Sequence, residues 1–87
     1  MSKLIVAEEG KELTPVEKLH NQLMERLLNS SDGTIRFETC SQAPAYGWSV
    51  QEYNIMPWTA GLLRNNGCIV SSAVNFGVTD WAITRNF

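Results

Sequence analysis

Charge is what the second half of this sequence lacks. Of its sixteen Asp, Glu, Lys and Arg residues, only Glu52, Arg64, Asp80 and Arg85 fall between Thr39 and Phe87. The overall charged fraction is 18%, against about 25% in an ordinary soluble domain. No stretch clusters Lys and Arg, which argues against a nucleic-acid backbone as the main partner. A net charge of −2 is also too small for an acidic mimic of nucleic acid.

Other absences narrow the chemistry. His20 is the one histidine, so a general base has a single candidate. It sits at the edge of an apolar helical stripe, where a boundary ring reaching toward solvent is the simpler reading. Cys40 and Cys68 are far apart and neither forms a C-x-x-C pair, so the paired spacing of a zinc site is missing. They read as buried structural thiols, because free cysteine behaves as a small hydrophobe. Gly61, Gly67 and Gly77 are isolated, and no phosphate-cradling glycine loop or nucleophile elbow occurs. Glu8, Glu9 and Glu12 gather before a helix start, where negative charge is favourable without any catalytic role. No cofactor or metal is expected. No apolar run approaches a membrane span, and the four apolar residues before Glu8 are too few for a signal-peptide core. The cytoplasm is therefore the expected compartment, with both thiols reduced.

What is present begins with one clear helix. Thr14-Pro15-Val16-Glu17 is a capping box with proline at the first helical position. Val16, Leu19, Leu23 and Leu27 recur at helical spacing, flanked by His20 and Met24. Asn29 to Gly33 ends the run with turn-forming residues.

Beyond Gly33 the period changes to two. Ile35 and Phe37 alternate with polar residues as a half-buried strand. A loop is expected at Ser41–Pro44 and a second strand from Tyr46, through Trp48 and Val50, to Tyr53 and Ile55. Its alternation slips near Gln51-Glu52, as at a β-bulge or a break between two strands. Pro57 would end it. Residues 57–64 read as a short helix with Asn65-Asn66-Gly67 as its exit, or else as one arm of a hairpin around Asn66-Gly67. Cys68 to Phe76 is a long strand, Gly77 to Thr79 a tight reversal, and Trp81 to Phe87 the last strand. Leu4 to Val6 would add a short edge strand or belong to a flexible lead-in over 1–12.

The sum is a single α+β domain over residues 1–87, with one amphipathic N-terminal helix packed on a small antiparallel sheet of about four strands. Short connections suggest that neighbours in sequence are neighbours in the sheet. A single helix covers one sheet face. The other face would carry Ser49, Ser71, Ser72, Ala73, Asn75, Ala82, Thr84 and Asn86, polar but uncharged. Such a surface docks on another protein at little desolvation cost.

The functional expectation is a small non-catalytic protein-binding domain. Its binding residues would be Ser71, Ala73, Asn75 and Thr84 on the charge-poor face, with Tyr46, Trp48, Tyr53 and Trp58 as an aromatic edge. Size and missing chemistry suggest an accessory or inhibitory protein of the kind phages and mobile elements carry. Three alternatives stand beside it. The same face could pair with its own copy as a dimer or larger homo-oligomer. The Trp and Tyr rings could stack on a planar small molecule. His20 and a cysteine could form an enzyme site.

Overall fold

The computed structural model describes residues 4–40 and 49–87. The expected loop at 41–44 and the strand positions Tyr46 and Trp48 lie outside the described residues. The element order is helix α1 (Pro15–Leu28), strand β1 (Thr34–Cys40), helix α2 (Val50–Asn65), strand β2 (Cys68–Asn75) and strand β3 (Val78–Arg85). This is an α+β fold of two helices and a three-stranded antiparallel sheet in the order β1-β3-β2.

Helix α1 starts as its sequence requires. The Glu17 N–H donates to the Thr14 hydroxyl (3.2 Å), and the Thr14 N–H donates to the Glu17 carboxylate (2.9 Å). Leu19, Leu23, Met24 and Leu27 form its buried stripe.

Helix α2 corrects the expected strand over 50–55. It begins at Val50, two turns before the short helix expected at 57–64, and Pro57 lies inside it. A second capping box starts it: the Glu52 N–H donates to the Ser49 hydroxyl and the Ser49 N–H to the Glu52 carboxylate, both at 3.0 Å. Met56, Thr59, Ala60 and Leu63 are buried at helical spacing. The Thr59 hydroxyl donates to the Ile55 carbonyl four residues back (3.0 Å). Asn66 caps the C-terminal end and Gly67 turns the chain with φ +89°, so the hairpin arm before Asn66-Gly67 does not form.

Strand β1 pairs with β3, with Ile35 opposite Ile83 and Phe37 opposite Trp81. Sequence neighbours β1 and β2 are thus not neighbours in the sheet, because α2 intervenes and delivers the chain to the far side of β3. Leu4 to Val6 forms no strand. Instead the Asn21 side chain clamps Ile5, accepting from its N–H and donating to its carbonyl, both at 2.8 Å.

Both helices lie on one sheet face. Val70, Trp81 and Ile83 are buried beneath them, with Ile35 and Phe37 partly so. The Trp81 indole N–H donates to the Thr39 hydroxyl (2.9 Å), satisfying its one polar atom. Fully burying each Leu, Met or Ile in this layer contributes about 1.5–3 kcal/mol.

Candidate functional site

The helices cover only part of the sheet. Beyond Val70, every residue from Ser71 to Gly77 is exposed. The outer half of the β2–β3 hairpin therefore stands clear of the core. Val74 is 74% exposed and Phe76 99% exposed.

The turn at the hairpin's end is unusual. Asn75 pairs with Val78, leaving Phe76-Gly77 as a two-residue loop. Both have positive φ, 52° and 78°, as a type I′ turn requires. Asn or Gly suits the first of these positions, whereas a bulky residue there costs of order 1–3 kcal/mol. Phe76 is the one described non-glycine residue with positive φ. A large apolar ring thus occupies a disfavoured backbone conformation and buries nothing.

The hydrogen-bond phase defines the sheet's edges. The Asn86 N–H donates to the Gly67 carbonyl (3.1 Å), and the Arg85 N–H to the Gly33 carbonyl (2.8 Å). Bonded and non-bonded pairs alternate along antiparallel ladders. The register then makes 69/84, 71/82, 73/80 and 75/78 the bonded pairs of β2 and β3. The main-chain groups of Val70, Ser72 and Val74 consequently point outward from the sheet. On β1 the outward groups are those of Thr34, Arg36 and Glu38.

The two edges are treated differently. On β1, the Thr34 N–H donates to the Asp32 carboxylate (3.1 Å), and the Ser30 hydroxyl is within bonding distance of the Thr34 carbonyl (2.9 Å) and of that carboxylate (2.7 Å). The Ser30 hydroxyl, then the Thr34 N–H, hold the Asp32 carboxyl below its ordinary value of 3.8. Arg36 and Glu38 add charge to this edge, which discourages strand addition. On β2, among the described residues, the guard is Arg64, whose guanidinium donates to the Val70 carbonyl (3.1 Å). No charged residue occurs from Asn65 to Thr79.

The expected binding residues divide. Ser71, Ala73, Asn75 and Thr84 share the face away from the helices. Ser72 does not, for it lies across from Trp81 on the helix side, though beyond the helices' reach. The face is also less bare of charge than expected. Arg36, Glu38 and Asp80 stand on it, and Glu38 lies directly opposite Asp80, a like-charge pair that costs a few tenths of a kcal/mol or more. A broad open concavity of about 640 Å³ is lined by residues of both faces, Phe37, Ser72 and Trp81 from the helix side as well as Arg36, Asp80 and Ser71.

Tyr53 and Trp58 belong to α2, on the opposite side of the sheet, and Trp58 is 73% exposed. They do not join Ser71 and its neighbours in one surface. Tyr46 and Trp48, the other half of the expected aromatic edge, lie outside the described residues.

His20 is fully buried, not at a solvent boundary. The Asn66 amide donates to its Nε2 (2.9 Å), which places the ring proton on Nδ1, facing the Asn21 carbonyl oxygen (3.0 Å). The ring is a tie between α1, the exit of α2 and the clamp on Ile5. Cys40 and Cys68 are buried and form no disulfide. They face Val78 and Arg85 on opposite flanks of β3, seven residues or about 23 Å apart along the strand, too far for a disulfide. Among the described residues no group of three or more His, Cys, Asp or Glu could hold a metal ion, and no helix is long and apolar enough to cross a membrane.

No protein-family model, curated protein or solved structure matches the chain.

Proposed function

We propose that this chain is a non-catalytic protein-binding domain whose docking element is the outer half of the β2–β3 hairpin. The observation that carries this reading is Phe76. Its ring is exposed at the tip of a turn that disfavours it, so it costs the fold stability and contributes no packing. Backbone strain of this kind clusters at functional sites, which supports a role for the ring outside its own domain. An aromatic anchor beside the Ser72 and Val74 edge groups, which have no partner among the described residues, suits a partner that adds an extended strand along β2, with main-chain bonds for affinity and Phe76 for a pocket.

The uncharged run from Asn65 to Thr79 supports the same reading, since little charge must be desolvated there. Two buried cysteines outside any disulfide suit a reducing compartment such as the cytoplasm. The expectation of an accessory or inhibitory protein rests on size and missing chemistry and adds no residue to this site. The planar-ligand alternative would rest on Tyr53 and Trp58 of α2, away from the open face.

The test is capture by the purified chain from its native host, run in parallel with Phe76→Asn and Ser72→Lys. The expected result is a protein retained by the wild type and lost with both variants, which then binds the purified wild type at least tenfold more tightly than Phe76→Asn. A retained set unchanged by either substitution contradicts the reading.

A further inference from the structure

We infer that the strand added at the β2 edge is the β2 of a second copy of this chain, running antiparallel, with Ala73 facing Ala73 across a two-fold axis. The inference rests on the hairpin being the docking element and names its occupant. The result is a continuous six-stranded sheet in the order β1-β3-β2-β2-β3-β1.

The register follows from which main-chain groups are open. Ser72 and Val74 point their N–H and C=O groups outward and have no partner among the described residues. Val70 points outward too, but Arg64 occupies its carbonyl. Phe76 leaves the strand, with φ 52°. A pairing centred on Ser72 would set Val74 against the occupied Val70. One centred on Val74 would set Ser72 against the turn residue Phe76. Centring on Ala73 pairs Ser72 with Val74 of the second copy twice over, and four main-chain hydrogen bonds form with no existing bond displaced. Ala73 then lies in a non-bonded pair, where Cα atoms approach to about 4.5 Å, and a methyl group fits that gap.

Electrostatics favours this seam over a face-to-face dimer. The edge brings together two segments without charge. Stacking the open faces would instead bury Glu38 and Asp80, already opposed within one sheet. The same register carries each Phe76 to the position opposite Val70 of the other copy. There its ring meets the Arg64 guanidinium that caps the Val70 carbonyl, a cation over an aromatic face. The exposed phenyl thereby acquires a neighbour that its own chain does not provide. A single strand seam lies at the small end of specific interfaces, so association is reversible and in the micromolar range or weaker, roughly 10–100 μM.

Sedimentation equilibrium of the full chain from about 1 μM to 1 mM should show the mass rising from 9.7 kDa toward twice that value; the span brackets the expected midpoint. Val74→Pro removes an outward N–H that the β2–β3 ladder does not use, and should abolish the rise. Should that variant unfold, Ser72→Lys on the same edge should weaken dimerisation at least tenfold. The register is read by crosslinking. In Ala73→Cys two thiols from two copies form one disulfide, with their two electrons and two protons passing to added diamide. This should proceed at least tenfold faster than in Ser71→Cys, whose thiol meets Asn75 of the other copy. The wild type, whose cysteines are buried, should not crosslink.

A chain that stays monomeric at 1 mM overturns the inference, as do equal crosslinking rates or a dimer indifferent to Ser72→Lys. If the chain is monomeric yet Phe76→Asn loses a captured host protein, the inference fails and the hairpin remains a docking element. If the chain dimerises at another surface and capture is unaffected, both fail.

Discussion

Replacing Phe76 with asparagine separates the needs of the fold from those of function. In the folded chain the Phe76 ring is 99% exposed, so its removal forfeits no burial energy. Its backbone is in the left-handed region, at φ 52°. That conformation costs a bulky residue of order 1–3 kcal/mol, whereas asparagine adopts it readily and precedes Gly77 as in the favoured Asn-Gly turn. Phe76→Asn should therefore stabilise the chain by about 1 kcal/mol, which for a domain of this size raises Tm by roughly 4–8 °C. Thermal and urea unfolding at low protein concentration, where association does not contribute, read this directly. The same substitution should remove binding. A stability loss of about 1 kcal/mol or more would mean that the phenyl packs on its own domain, and the reading of Phe76 as a docking residue would be refuted.

Leu23→Ala should cost about 2–5 kcal/mol, since Leu23 is buried between the helices and the sheet; a urea midpoint shift worth less than half a kcal/mol would place it outside the core. Pro57→Ala should stabilise by about 1–3 kcal/mol, because it restores an N–H able to bond the Tyr53 carbonyl and relieves the ring's clash with the preceding turn; an unchanged or lowered Tm would show that α2 has adapted fully to Pro57. Asp32 has a lowered folded pKa, so its contribution is complete above the ordinary value of 3.8 and disappears as the pH falls through the lowered one. Asp32→Ala should flatten that acid limb of the stability curve, and an unaltered limb would assign the pH dependence to other carboxylates.

The sequence was legible wherever two local signals agreed. Thr14-Pro15-Val16-Glu17 and the stripe through Leu27 both indicated α1, and the structure has it between Pro15 and Leu28. In α2 the signals conflicted. Val50, Tyr53 and Ile55 suggested strand propensity, and Pro57 suggested a stop. The deciding signal was Ser49-Val50-Gln51-Glu52, a capping box like that of α1, followed by Met56, Thr59, Ala60 and Leu63 at helical spacing. The apparent slip in strand register near Gln51-Glu52 falls in the first turn of this helix.

Long-range order was not legible. Pairing of Phe37 with Trp81 spans forty-four positions, and no local rule sets β1 beside β3. That pairing brings Arg36 and Glu38 onto the face that carries Ser71 and Ala73, so its charge was underestimated. Edge character was likewise hidden, because which N–H points outward depends on hydrogen-bond phase. Phe76-Gly77 lacks the Asn-Gly signature, and the strain that marks it appears only in the backbone angle.

Amide hydrogen exchange at Ser72, Ala73 and Val74, followed as a function of protein concentration, tests strand addition at β2 most directly. The Ala73 N–H faces β3 and should be protected at every concentration. The Ser72 and Val74 N–H groups face outward, and should exchange freely at about 1 μM and become protected together near 1 mM, above the expected dimerisation range. Ser72 and Val74 amides whose exchange does not change with concentration would contradict self-pairing at this edge.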